Sequence, residues 1–306
     1  MKMQKTLEKL AKIICMVFAS ITILAIIFIT LYMILKGTPA LQSVGFADLF
    51  FNTIWKPTAK EPSFGILYVI LSSIVATFAS LIIGVPIGLL TAIFLSEIAS
   101  KKLSKIVSSA VELLAAIPSV IYGLVGMMIL NPFMYEIEKL LFNRSEKHIF
   151  TGGSNILSAI IVLAIMILPT VISVSTTSLK AVNDKLRSAS LALGATKIQT
   201  IFKVVVPAAK SGIMTAIVLG VGRAIGEAMA VNMVAGGSIN LPLPFNSVRL
   251  LTTQLVSEMS YSEGLHRQVL FTVGLVLYIF ILIINYLLMR IRKKEIQWTK
   301  IKWLMA

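Results

Sequence analysis

Arg223 and Glu227 are the residues whose types and spacing point most directly to chemistry. Both lie in the run Ser211 to Val248, which is otherwise free of charge. Four positions apart on a helix, they would share one face, about 6 Å from each other along the axis. An arginine at the centre of a membrane span costs about 2.5 to 3.5 kcal/mol on insertion scales, so such residues face a bundle interior or a water-filled path. The guanidinium offers a planar donor fork to a pair of oxyanion oxygens, with the carboxylate holding it in place and keeping the path from binding anions too tightly. The competing reading is a structural ion pair that hides both charges. A pathway must bind its ion well enough to admit it and weakly enough to release it. One arginine with a compensating carboxylate suits passage rather than capture.

Other polar residues are weaker candidates. Glu112, six residues before Pro118, is positioned to snorkel to the interface or to cap a helix start. Ser72, Ser73, Thr77 and Ser80, with Ser173, Ser175, Thr176 and Thr177, either line a polar path or, as is commoner, bond back to their own helices. Gly84-x-Pro86-x-Gly88 and Gly222-x-x-x-Gly226 have the small-residue spacing that lets helices approach closely. Gly220, Gly222 and Gly226 imitate a dinucleotide fingerprint, but the third glycine comes one residue late. No Gly-Lys dipeptide occurs, so there is no phosphate-binding Walker loop and no route to ATP hydrolysis within the chain. The chain is therefore not expected to be an enzyme, and its energy must come from a partner or an ion gradient. A single cysteine, Cys15, and two histidines, His148 and His266, exclude an intrachain disulfide and a zinc module, and no cofactor or metal is expected.

The elements that position these residues follow from composition. Of 306 residues, 57% are hydrophobic and only 13% charged, with a mean hydropathy of +0.92. Soluble domains carry about 25% charged residues, so this is a membrane protein bathed in lipid. A crossing helix needs roughly 20 mostly apolar residues. Four charge-free runs meet that length: Ile13 to Leu35, Ser63 to Ser96, Ile149 to Leu179 and Gln268 to Met289. Ile106 to Tyr135, with Glu112, and Ser211 to Val248, with Arg223 and Glu227, make six. The first run is too long for a signal-peptide core of 7 to 15 residues and reads as an anchor.

Net charge is +15 and is unevenly distributed. Residues 1–12, 96–107, 176–211 and 290–306 carry +3, +2, +5 and +5, whereas 36–62, 136–148 and 249–267 carry +1, 0 and 0. Basic residues collect on the cytoplasmic side, so both termini are expected in the cytoplasm, consistent with an even number of spans. The excess is an orientation signal and implies no nucleic acid. The chain divides into 1–62, an N-terminal tail, first span and outer loop; 63–290, the membrane domain; and 291–306, a basic tail.

The longest cytoplasmic segment, Lys180 to Lys210, reads as two short helices joined at a glycine. Asn183 or Asp184 caps the first, and Gly194 suits the left-handed position that ends it. Thr196 to Gln199 has capping-box spacing, the second helix presents Ile198, Ile201, Phe202 and Val205, and Pro207 ends it. Such a unit either plugs a groove on another protein or lies flat on anionic lipid.

Leu186-Arg-Ser-Ala-Ser-Leu-Ala-Leu-Gly-Ala-Thr196, followed by Ile201 and Val-Val-Val-Pro207, resembles the coupling loop of ABC-importer permeases, which docks into the ATP-binding subunit. Ser188, Ala189 and Ser190 stand where that pattern has Glu-Ala-Ala, so the usual glutamate contact is missing; Gly194, Ala195, Thr196 and Pro207 complete the match. Val221 to Gly236, Leu265 to Gly274, Glu112 to Gly123, Gly84 to Glu97 and Trp55-Lys-Pro57 are similar to phosphate-specific (Pst) permease subunits, the C type in particular. The resemblance covers roughly residues 50 to 290. It implies an all-α, six-span permease fold of the type I importer (MetI-like) kind with cytoplasmic coupling helices. It also implies an A-type sister permease, an ATP-binding cassette dimer, an extracytoplasmic phosphate-binding protein, and a role for Arg223 and Glu227 in phosphate passage. The alternatives are another oxyanion cargo, such as molybdate or phosphonate, or an anion transporter or channel that works without an ATPase. Against the latter stand the cytoplasmic helix pair and the lack of a recognisable inverted repeat with broken helices.

Overall fold

A computed structural model describes residues 2–145 and 148–305, with side-chain surroundings described for 8–145 and 148–290. The side chains of the basic segments 1–7 and 291–306 lie outside the described residues. Among the described residues the regular structure is helical apart from one short antiparallel hairpin, β1 (Trp55–Lys56) with β2 (Ser63–Phe64), and a single bridge between Gly236 and Val248.

Five helices are long and apolar enough to cross a membrane, and a sixth span forms if one bent pair is counted as a single crossing. In chain order they are α1 (Lys2–Val44), followed by the short α2 (Phe46–Phe50), α3 (Leu67–Ile93, extended by a π turn through Ile98), the run Ser119–Phe142 formed by α5 (Ser119–Val125), a π turn (Gly126–Leu130) and α6 (Asn131–Phe142), then α7 (Ile156–Lys180) and α14 (Gly264–Met305). The bent pair is Lys197–Ala208 with α11 (Lys210–Gly226), which meet at 69°.

The centre of the bundle is α7, which has 67% of its apolar window buried. Close approach to α3 depends on glycine: a Cβ at Gly84 would sit 2.6 Å from Ile167 Cδ1 and 3.0 Å from the Ala164 carbonyl, and one at Gly88 would sit 2.8 Å from Val171 Cγ1. The spacing read from Gly84-x-Pro86-x-Gly88 thus works as packing. Helix α1 stands apart, with none of its apolar window buried. It touches α14, where Thr272 Oγ1 donates to the Gly37 carbonyl at 2.9 Å and Tyr32 meets Phe271 edge-on. Lipid tails solvate such a bare face as well as protein does.

The third crossing differs from its expected limits of Ile106 to Tyr135. Ile117, preceding Pro118, is extended at ψ 127, the conformation a following proline enforces. The chain therefore breaks there. Before the break, α4 (Lys101–Ala116) is a separate 16-residue helix, capped by Ser100 and burying Ser104 and Val111 along one stripe. Glu112 is exposed on it rather than set inside a span.

Candidate functional site

The fifth crossing is discontinuous. Helix α11 stops at Gly226, Glu227 is extended (φ −76, ψ 122), and the chain resumes as α12 (Met229–Val234) before a loop leads to α13 (Leu251–Glu258). The run Ser211 to Val248, expected as one span, is interrupted here, at the residue thought to carry chemistry.

Because the helix ends before it, Glu227 does not share a face with Arg223, and among the described residues no ion pair joins them. Glu227 Oε1 instead accepts from the Ala230 amide at 3.0 Å, satisfying an orphan donor at the start of α12. Its carbonyl accepts from Thr252 Oγ1 at 3.0 Å, which ties in α13. Neither holding the guanidinium nor hiding it describes this carboxylate. Half-buried Arg223 donates through Nη1 to Thr170 Oγ1 on α7 at 3.4 Å, its one hydrogen bond among the described residues. Nearby in the bundle, the Tyr122 hydroxyl of α5 (Ser119–Val125) donates to the Leu114 carbonyl across the Pro118 break at 2.8 Å. The guanidinium fork thus meets one neutral hydroxyl among the described residues and has donor capacity left for an anion.

Around it, Gly222, Gly226 and Met229 are exposed, and a Cβ at either glycine would meet nothing within 4 Å. The packing expected of Gly222-x-x-x-Gly226 is therefore not made within this chain. Ser72, Ser73, Thr77, Ser80, Ser175 and Thr176 are buried in the bundle. Of these, Ser73 Oγ accepts from the Leu251 amide at 2.8 Å and fixes the start of α13.

The segment Lys180 to Lys210 folds locally much as its caps dictate. Asn183 Oδ1 accepts from the Lys185 amide at 2.9 Å, α8 spans Asp184–Ala192, and Gly194 takes the left-handed φ of +83°. Thr196 and Gln199 form the reciprocal capping box of α9 (Lys197–Thr200). Ser188 donates back to the Asp184 carbonyl at 3.1 Å, and Ser190 meets Thr200 hydroxyl to hydroxyl at 2.9 Å. Ala189, Gly194 and Thr196 are exposed and Ala195 is half-buried.

Pro207 does not end the second helix. A π turn over Ile201–Val205 closes with the Val206 amide on the Ile201 carbonyl, and the helix runs on through α10 (Val206–Ala208) to the bend at Ala209. The wider turn shifts the ladder where proline lacks its N–H. The apolar face divides: Ile201 and Val205 are buried, while Ile198 is 69% and Phe202 52% exposed. With Leu193 at 89%, these form an unpartnered apolar crest.

The sequence pattern of the binding-protein-dependent transport system inner membrane component family matches residues 84–296. The chain belongs to this family of ABC importer permeases. The permease is 40% identical over 278 residues to the probable ABC transporter permease protein YqgH of Bacillus subtilis, covering 88% of this chain and 87% of that one. It is 33% identical over 292 residues to the phosphate transport system permease protein PstC of Pasteurella multocida, covering 91% and 90%. Its fold is like that in a crystal structure of a bacterial alginate ABC transporter in complex with an alginate-bound periplasmic protein, with a TM-score of 0.57 at 17% identity over 89% of this chain and 92% of that one. The permease is thus an all-α, multi-pass inner-membrane protein.

Sequence reading missed two carboxylate clusters on the loops and helix ends of the permease, though each engages one of its two histidines. Glu258, 4% exposed, accepts from Trp55 Nε1 at 3.1 Å and from Arg249, and lies 2.8 Å from His266 Nε2. Glu138, fully buried in α6 (Asn131–Phe142), lies 2.8 Å from His148 and accepts from the Thr151 amide at 3.0 Å. Two cavities open beside them. One of about 680 Å³ is lined by Trp55, Lys56, Arg249, Glu258 and Tyr261, and one of about 590 Å³ by His148, Asn240, Asn246 and Ser247. Burial, then the Glu258 charge, holds the Tyr261 phenol protonated above its ordinary range. Sequence contained a signal only for Trp55, in its Trp-Lys-Pro motif.

Proposed function

We propose that this permease is the C-type subunit of an importer that moves inorganic phosphate across the cytoplasmic membrane, with both termini in the cytoplasm. The observation that carries the reading is the Arg223 guanidinium. It is half-buried beside a broken helix, bonded only to a neutral hydroxyl among the described residues, in a chain one-third identical to a phosphate transport permease. A planar fork with spare donors suits a tetrahedral oxyanion, and a single arginine suits release as well as entry.

Residues 63–290 form the translocating unit and pair with an A-type permease across the open face of Gly222 and Gly226, so that Arg223 looks into a path shared by both subunits. Glu227 shapes that path as the joint between α11 and α12. Ser188, Ala189, Ser190, Gly194, Ala195, Thr196 and Pro207 belong to the segment that docks an ATP-binding cassette dimer, with Leu193, Ile198 and Phe202 as the apolar crest entering its groove. Ser188, bonded to its own helix, leaves the contact of the usual glutamate to other residues. ATP binding closes the dimer, draws the segment around Gly194 and turns the path outward to receive phosphate from a binding protein; hydrolysis returns it inward.

The test is labelled-phosphate uptake into vesicles holding this chain, the sister permease and the ATPase, with binding protein outside. Uptake that needs ATP and resists excess molybdate or phosphonate supports the reading. Uptake without the ATPase, or displacement by those anions at equal concentration, contradicts it.

A further inference from the structure

Helix α8 buries none of its residues, so apolar packing does not fix its place under the membrane helices. What holds it is Arg187, immediately before the coupling residues. Its guanidinium grips Glu97 in a two-point bond, Nη2 to Oε1 at 2.8 Å and Nε to Oε2 at 3.2 Å. Nη2 also donates to the Leu179 carbonyl at 2.9 Å, and Nη1 donates to the Val182 carbonyl and to Asp184 Oδ1 at 3.0 Å.

One side chain therefore joins the π turn that ends the second span, the last turn of α7 and the start of α8. The Glu97 and Arg187 side chains are only 9% and 20% exposed, whereas Asp184 is 94% exposed and contributes little. The parallel fork fixes direction as well as distance, which a point charge does not. A second stitch stiffens the same end of the bundle: Ser104 Oγ donates to the Leu95 carbonyl at 2.8 Å, and Lys180 reaches Ser104 at 3.5 Å. The Glu97 carboxylate also keeps the guanidinium protonated above its ordinary range.

We propose that Arg187 is a positioning residue for energy coupling: its fork on Glu97 makes α8 move as one body with α3 and α7, so that a displacement imposed at the Gly194 turn reaches the spans. This rests on the docking role assigned above to residues 188–196. It does not depend on which anion is carried.

The test uses the assembled transporter with Cys15→Ser in this chain and one of two reporters. Leu193→Cys, at the exposed crest, reports docking by thiol-to-amine cross-linking to the ATPase. Met229→Cys, 48% exposed beside the helix break, reports the path by its rate of maleimide labelling with ATP and vanadate against no nucleotide. Arg187→Lys keeps the charge and loses the fork, and Glu97→Gln keeps the shape and loses the charge. Each is expected to retain the cross-link and to cut the ATP-driven change in labelling at least fivefold, with the double variant no worse than either single one. Full ATP-driven change in the single variants, multiplied losses in the double, or loss of the cross-link in variants that still insert and assemble would each overturn the proposal. Absence of the cross-link in the parent transporter would overturn the docking reading itself, and this proposal with it.

Discussion

Arg223 and Glu227, four positions apart, are served by different elements: the guanidinium donates to Thr170 on α7 at 3.4 Å, and the carboxylate accepts from Ala230 at the start of α12 at 3.0 Å. The pair is not an ion pair, and the two residues should therefore respond differently to substitution. Glu227 needs an acceptor at its place more than it needs a charge. Glu227→Gln, whose amide oxygen can still accept, is expected to keep uptake within a few-fold of the parent. Glu227→Ala removes the acceptor, at a cost of about 0.5 to 2 kcal/mol if it behaves like other helix caps, and is expected to lower both thermal stability and uptake. Equal, near-complete loss in both variants would return the charge to the mechanism.

Gly194 is open on all sides, with no atom within 4 Å of a built Cβ, yet holds φ +83°. Its requirement is backbone conformation, together with whatever docks above it. Gly194→Val costs about 1 to 2 kcal/mol in the left-handed region and is expected to uncouple ATP hydrolysis from uptake. Gly194→Asn, which tolerates that region, is expected to retain more coupling. Equal coupling in both, measured as phosphate imported per ATP hydrolysed, would count against the conformational account.

The two glycine pairs should separate in a thermal melt. A methyl at Gly84 would press on Ile167 and the Ala164 carbonyl, and overpacking of that kind costs about 1 to 3 kcal/mol. Gly84→Ala should lower the Tm of the detergent-purified chain, while Gly222→Ala, facing open space within α11, should leave it unchanged or raise it, because alanine is the better helix former. A Tm loss at Gly222 in the isolated chain would contradict the open face.

Glu258 gathers Trp55, Arg249 and His266. Removing one partner of a buried charge pair costs about 3 to 5 kcal/mol, so Glu258→Ala is expected to destabilise the loops that carry Trp55 and Arg249. In a chain with Trp298 and Trp303 replaced by Phe, Trp55 emission should move to the red in that variant. An unchanged emission maximum would indicate that the cluster does not fix the hairpin.

What could be read beforehand was local. Thr196 and Gln199 lie three residues apart and cap each other, Gly194 ends α8 within a single turn, and Gly84 and Gly88 repeat at helical spacing. What escaped depends on the rest of the chain. The stop after Gly226 is held by Thr252 on the carbonyl of Glu227, twenty-five residues before it, so the run Ser211 to Val248 looked continuous. The bundle uses Gly84 and leaves Gly222 bare, although their spacing is the same. Arg187 and Glu97 are 90 residues apart, and neither stands out until the ends of α3 and α7 meet. Pro207 misled because a π turn absorbs the bond that proline lacks.

The central claim is that phosphate passes the Arg223 guanidinium. The measurement that bears on it most directly is labelled-phosphate uptake by the assembled transporter carrying Arg223→Gln, with assembly and basal ATP hydrolysis checked in the same vesicles. The account predicts near-complete loss of uptake in an intact complex. Uptake at the parent rate would contradict it and return Arg223 to a structural role.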